Sequence, residues 1–256
     1  MLVSAKTLNG FHLKARDGDI GSVKDFYFDD RYWAVRYLVA GTGGWLSQRQ
    51  VLIAPYALEE MQPRHLAIAT SLTRRQIEDS PSLDSHKPVS RQYEDRIYNY
   101  YEWPTYWSGP YMWGDDPWIV RDRTQWRARS AEQKQWDPHL RSANEVRGYH
   151  IEAPDGTIGH VEDYLIDDES WAIRYLVANT RNWWPGKHVL VSPHWAERVS
   201  WSESKLFITA TREQVQASPE YVEGQLPTRE YETLLHGHYD RPSYWADAPA
   251  TARHGR

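Results

Sequence analysis

DGDIGSVKDFYFDDRYWAVRYLVA, Asp17 to Ala40, decides how this chain is read, because it is written twice. The second copy, Asp155 to Ala178, is DGTIGHVEDYLIDDESWAIRYLVA. Fifteen of the 24 aligned positions are identical, without a gap, at a constant offset of 138. Identity at that density marks an internal duplication. Each copy reads as a β-hairpin. Asp17-Gly18 and Asp155-Gly156 are turn dipeptides, since glycine accepts the positive φ of a tight turn. The spacing of Ile20, Val23, Phe26 and Phe28 breaks strict alternation. Gly21, matched by Gly159, sits in the break and predicts a bulge or sharp bend.

A second turn is expected at Asp29-Asp30, and at Asp167-Asp168. Aspartate pairs are common in turns because the side chain hydrogen-bonds the local backbone. The run Trp33 to Val39 is rich in aromatic and β-branched residues and predicts a strand. Arg36 and Arg174 fall among apolar neighbours there. The spacing predicts an arginine stem laid over the sheet and paired with an aspartate of its repeat, with Asp25 and Asp163 the preferred partners. A ligand-binding arginine is the alternative.

Working outward, Leu2–Asn9 matches Leu140–Arg147 and predicts a short lead-in, with a turn of helix. Gly10–Leu13 and Gly148–Ile151 predict first strands. After the hairpin, Thr42–Arg49 and Thr180–Lys187 are turn-rich loops carrying Trp45, Trp183 and Trp184. Those tryptophans either fold back over an open sheet end or offer a contact surface, tryptophan being enriched at binding hot spots. Arg49 and Lys187 close the loops and join that candidate surface. Val51–Ala54 and Val189–Ser192 predict buried strands ended by Pro55 and Pro193. Leu66–Thr70 and Leu206–Thr209 predict last strands. Thr73/Gln76 and Thr211/Gln214 match capping boxes of short helices. Tyr93, Ile97 and Tyr100, like Tyr231, Leu234, Leu235 and His238, share helical spacing. Aromatic tails follow, with Tyr106, Trp107, Tyr244 and Trp245 as further candidate contacts.

The expected architecture is mainly β: two tandem small bent β-barrels, each followed by short helices and an aromatic tail. Residues 1–107 form the first repeat and 139–246 the second. Residues 108–138, proline-rich with four tryptophans, read as a strap, and 247–256 as a frayed C-terminus.

Composition narrows the function. The formal charge of −5 argues against nucleic-acid binding by bulk charge. Without cysteine, thiol catalysis, disulfides and Cys-based zinc sites are excluded. No apolar run approaches the length of a transmembrane helix, and the N-terminus lacks a secretory core. A cytoplasmic protein is expected. Tryptophan (14) and tyrosine (17) far outnumber phenylalanine (4), a balance suited to half-buried positions and interfaces. No nucleophile elbow or phosphate-binding glycine loop is present. Only His12/His150 recurs among the histidines, so neither metal nor cofactor is expected and no catalytic residue is assigned.

The repeat core resembles the PRC-barrel family. The pattern D-G-x-I-G-x-V-x-D-x-x-x-D carries it, at Asp17, Gly18, Ile20, Gly21, Val23, Asp25 and Asp29. It recurs at Asp155, Gly156, Ile158, Gly159, Val161, Asp163 and Asp167. The resemblance covers about residues 2–80 and 140–218. It implies a small, highly bent β-barrel, as in the cytoplasmic part of the photosynthetic reaction-centre H subunit. The same fold forms the C-terminal domain of a ribosome maturation factor. It further implies action by docking to proteins, through a non-catalytic interaction or assembly module; the surplus of tryptophan and tyrosine on predicted loops, with the open strand edges, makes a second copy of the chain one such partner. An accessory factor peripheral to a membrane photosynthetic or electron-transfer complex, a ribosome-associated factor, and a metal- or ligand-binding protein are the alternatives.

Overall fold

The computed structural model describes residues 1–46, 49–62, 65–81, 83, 91–103, 105–106, 140–180 and 187–245. The fold is mainly β, with two seven-stranded sheets. The first repeat contributes β1 (Leu2–Ser4), β2 (His12–Ala15), β3 (Gly18–Asp29), β4 (Ala34–Gly41), β5 (Gln50–Ile53), β6 (Leu58–Gln62) and β7 (Ala67–Thr70). The second contributes β8 (Leu140–Ser142), β9 (His150–Ala153), β10 (Gly156–Asp167), β11 (Ile173–Asn179), β12 (His188–Val191), β13 (Ala196–Ser200) and β14 (Lys205–Ile208).

The strand orders are β5-β4-β3-β2-β7-β6 and β12-β11-β10-β9-β14-β13. β2 and β7 run parallel, as do β9 and β14. The ends of each path meet in the chain. Only Ala54–Ala57, with the 3-10 turn Pro55–Ala57, separates β5 from β6, and only Ser192–Trp195 separates β12 from β13. Five flat ladder steps would span roughly 24 Å, whereas four residues reach only about 14 Å. Each sheet is therefore strongly curled. Among the described residues the ladders do not close into a ring, so the expected barrels are observed as curled sheets.

The expected break in β3 falls at Ile20. Leu13 pairs with Gly21 and Lys14 with Asp19, leaving Ile20 as the extra residue of a bulge. Ile158 is the extra residue in β10. The glycine after each bulge is forced by close approach. A Cβ on Gly21 would lie 1.9 Å from the Gly41 carbonyl oxygen, and one on Gly159 2.0 Å from that of Asn179. Gly21 also holds φ +140°. In the core, every residue from Ala34 to Ala40 is buried, as is every residue of β11. Each such apolar side chain contributes about 1.5–3 kcal/mol relative to exposure.

Four short helices cap strands. α1 (Ala5–Leu8) and α4 (Ala143–Val146) are started by Ser4 and Ser142, whose hydroxyls accept from the Thr7 and Glu145 amides. α2 (Arg74–Glu78) and α5 (Arg212–Ala217) carry both capping boxes in full. Two longer helices follow, α3 (Arg91–Tyr101) and α6 (Arg229–His238).

Two sequence expectations are corrected. The last strands align as Ile68 with Leu206, because His12 pairs with Ala67 and His150 with Lys205. Leu66 is 55% exposed with φ 48° and corresponds to Ser204, φ 54°. A left-handed turn residue thus precedes each strand, so Leu66, expected within the last strand, lies outside it. The buried stripes of the long helices also differ from expectation. Tyr100 is 39% and Leu234 67% exposed, while Glu94 and Glu232 are buried. Hydrophobic spacing overlooks buried carboxylates, which need hydroxyl partners to be tolerated.

The chain divides into two compact units, Met1–Arg147 with Tyr164–Arg174, and Gly148–Asp163 with the described chain from Tyr175. The division does not follow the repeat boundary because lead-in strands are exchanged. Within the first unit, β1 pairs with the end of β10, Leu2 opposite Asp167. β8 pairs likewise with the end of β3, Leu140 opposite Asp29. The exchanges match residue for residue at the 138 offset. Between them Val35 N–H donates to Trp171 O (2.8 Å) and Ile173 N–H to Trp33 O (2.7 Å). Phe28 stacks on Trp33 at 5.1 Å and meets Tyr164 at 6.1 Å.

Candidate functional site

The repeated motif is used to hold the fold. Asp17 Oδ1 accepts from the Arg74 amide (2.7 Å) and Asp155 Oδ1 from the Arg212 amide (2.9 Å), so each hairpin turn anchors a helix start. A carboxylate there also favours the positive end of the helix dipole. Gly18 and Gly156 sit in these turns with φ +156° and +131°. Asp25 accepts from Ser142 Oγ (2.5 Å) and the Asn144 amide (3.1 Å), securing the exchanged lead-in at α4. Asp163 is likewise buried.

The expected pairing of Arg36 with Asp25 is overturned. Arg36 Nη2 lies 3.3 Å from Asp29 Oδ2, and Arg174 Nη2 3.2 Å from Asp167 Oδ2, not from Asp163. The cause is a bulge. Tyr27 pairs with Tyr37 but Phe28 with Val35, so Arg36 is the extra residue, next to the strand end where Asp29 lies. Asp29 Oδ1 meanwhile accepts from the Arg31 and Tyr32 amides at 2.9 and 3.1 Å, the turn chemistry its sequence position predicts. Burial alone would raise the Asp167 carboxyl. The Arg174 charge, the Glu169 amide, the Ser170 hydroxyl and the charged N-terminus together outweigh it and hold it below the usual carboxylate range.

Arg49 and Lys187 serve helix ends. Arg49 donates to the carbonyls of Glu78 (2.9 Å) and Ser80. Lys187 Nζ donates to those of Gln216 (2.7 Å) and Ser218. Both cations satisfy carbonyls left open after α2 and α5. Trp45 lies in the 3-10 turn Gly43–Leu46. Its side chain, Trp107, Trp183, Trp184 and the strap 108–138 lie outside the described residues, as does 247–256.

Each long helix brings a glutamate into a buried hydroxyl cluster. In the first repeat Tyr37 donates to Glu94 Oε1 at 2.9 Å and Tyr106 at 2.6 Å. Tyr98 meets the Tyr37 and Tyr106 rings edge-on, and Arg36 lies 4.2 Å over the Tyr106 ring. In the second, Tyr175 lies 3.0 Å and Tyr244 2.8 Å from Glu232 Oε1, while Arg229 Nη1 lies 3.0 Å from its Oε2. His236 stands where the first repeat has Tyr98. Its Nδ1 is 2.9 Å from the Pro242 carbonyl and its Nε2 2.9 Å from the Tyr175 hydroxyl. A carbonyl only accepts, so Nδ1 carries the proton and Nε2 faces the phenol. Burial lowers the His236 pKa, against the opposing pull of the Pro242 carbonyl and Glu232. Burial also pushes the Tyr37, Tyr98 and Tyr175 phenols far up, with the glutamate charges adding to it. Tyr106 and Tyr244, expected as outward contacts, thus direct their hydroxyls to the glutamates. Trp245 is half-buried with the Arg229 guanidinium 4.1 Å over its ring.

One constellation has no precursor in the sequence reading. Glu162, His188 and Glu223 bring three ligand atoms within 4.8 Å of one another. His188 is buried and its Nε2 lies 2.9 Å from Glu162 Oε2, which also accepts from Asn179 Nδ2 at 2.6 Å. One imidazole and two carboxylates could hold a divalent cation, with Asn179 orienting a ligand. The equivalents of Glu162 and His188 in the first repeat are Lys24 and Gln50, so no recurrence could signal the group. His12 and His150, which do recur, are exposed.

No family model matches the chain, and no curated protein matches it.

Proposed function

We propose that the chain is a non-catalytic PRC-barrel protein, each curled sheet a small bent barrel, acting as a protein-interaction or assembly module. One observation carries this reading. The polar residues of the repeated motif are occupied with internal work: Asp17, Asp155 and Asp25 anchor helix starts, and Asp29 and Asp167 neutralise arginines. A reaction centre needs acids or bases facing a substrate space, whereas a docking module needs a rigid frame that presents loops. No helix among the described residues is long and apolar enough to cross a membrane. A role beside a membrane complex would then be peripheral.

Cross-linking of the tagged full chain in its host, with membrane, ribosomal and soluble fractions analysed separately by mass spectrometry, tests the proposal. Light scattering across a concentration series accompanies it. The expected result is one protein recovered in stoichiometric amount, or a defined homo-oligomer. Recovery in the membrane or ribosomal fraction chooses between the two assembly settings. A strict monomer that recovers no partner from any fraction contradicts the proposal.

The Glu162–His188–Glu223 group favours divalent-cation binding as a second reading. Zinc titration by calorimetry on the native chain and on His188→Gln checks it, with binding lost in the variant as the expected outcome.

A further inference from the structure

The two repeats differ between the curled sheet and its long helix. In the first repeat Trp103 stacks on Tyr101 at 4.3 Å and meets Tyr98 at 5.8 Å, and Leu72, just after β7, is 4% exposed. At the 138 offset, Trp103 becomes Arg241, Leu72 becomes Ala210, and Ala57 becomes Trp195. Trp195 takes over the ring contacts, lying 4.9 Å from Tyr239 and 5.1 Å from His236. A cavity of about 220 Å³ is left, lined among others by Val191, Trp195, Ile208, Ala210, Tyr239 and Arg241.

Arg241 lines this cavity. Its Nη2 donates to the neutral Thr209 hydroxyl at 2.9 Å, which holds the guanidinium in place. Among the described residues no carboxylate pairs with it. A fixed, solvent-reachable guanidinium over an aromatic wall matches a carboxylate by forked hydrogen bonds, while the rings match a flat apolar body. The volume is below the ~300–1,000 Å³ of drug-sized sites, which restricts the occupant to about a single ring.

We propose that this cavity is a binding site for a small aromatic carboxylate. The proposal does not depend on the assembly role. It is tested on the full chain labelled with ¹⁵N, following the indole N–H of Trp195, identified by its loss in Trp195→Phe. Benzoate is the probe and benzamide its uncharged counterpart. Benzoate is expected to shift the Trp195 signal saturably at millimolar concentration, with benzamide at least about tenfold weaker. Ala210→Leu, which restores the first repeat's side chain, is expected to abolish the benzoate response. Arg241→Gln is expected to bring benzoate down to the benzamide level, and as an exposed position it keeps the test valid should Ala210→Leu disturb folding. The proposal is overturned if benzoate gives no saturable Trp195 shift, if benzamide binds as well, or if Arg241→Gln leaves benzoate affinity unchanged.

Discussion

The hydroxyl clusters around Glu94 and Glu232 are the same design with one decisive exchange. Both glutamates lie within hydrogen-bond reach of a core-strand tyrosine and a tail tyrosine, although Tyr175 has one proton to share between Glu232 and His236 Nε2. Beside them the first repeat places Tyr98, a ring that stays uncharged at any ordinary pH because burial pushes its phenol far up. The second repeat places His236, an imidazole whose pKa burial lowers and which can gain a charge on acidification. The neighbouring exchanges of Trp103 for Arg241 and Leu72 for Ala210 go the same way. At these positions one copy carries rings and a leucine, while the other holds a titratable group, an arginine and a cavity. Duplication thus leaves one copy to serve as frame and frees the other to vary.

The largest effect expected from breaking the comparison is at the arginine pairs. Arg36 has a fully buried side chain, whereas that of Arg174 is 10% exposed. Asp29→Asn strands the Arg36 charge and is expected to cost about 3–5 kcal/mol in urea unfolding. Asp167→Asn is expected to cost less, since water reaches its pair. Equal losses would show that the small difference in exposure does not matter.

Next come the bulge glycines. Gly21→Ala meets both a backbone carbonyl at 1.9 Å and a left-handed φ, whereas Gly159→Ala meets the carbonyl alone, at 2.0 Å. Expected losses are about 2–4 and 1–3 kcal/mol respectively, read by hydrogen exchange so that each unit reports separately. The smallest expected effect is at the helix ends. Arg49→Met and Lys187→Met each remove a cation from a helix C-terminus, at a cost of about 0.3–1 kcal/mol. Thermal melts resolve this if the α2 and α5 ends lose protection first.

Much of this was legible before the structure. The duplication, the turns at Asp17-Gly18, the bulge beside Gly21 and both capping boxes follow from residue type and spacing. The partner of Arg36 did not, because a bulge in β4 moves side chains off their alternating faces and no pattern of apolar residues marks it. Nor did the buried glutamates, since Glu94 and Glu232 look like solvent-facing helix residues until the tyrosines from β4 and β11 are placed beside them. The strand exchange was equally hidden, because Leu2–Ser4 and Leu140–Ser142 carry no signal of which long strand they join. The cavity was invisible for a related reason: Trp103, Leu72 and Ala57 are far apart in sequence, and their exchanges acquire meaning only together.

The measurement that bears most directly on the distinction between Tyr98 and His236 is hydrogen exchange of α3 and α6 between about pH 7.5 and 5.5, expressed as protection relative to unstructured peptide. His236 has a lowered pKa in the fold, so its contribution is fully present above the unfolded value of about 6.5 and is lost as the pH falls below it toward the folded value. Protection of residues 229–238 is therefore expected to fall across that window while 91–101 holds, and His236→Tyr is expected to remove the difference. Equal behaviour of the two helices, or a pH response that survives His236→Tyr, would contradict the account.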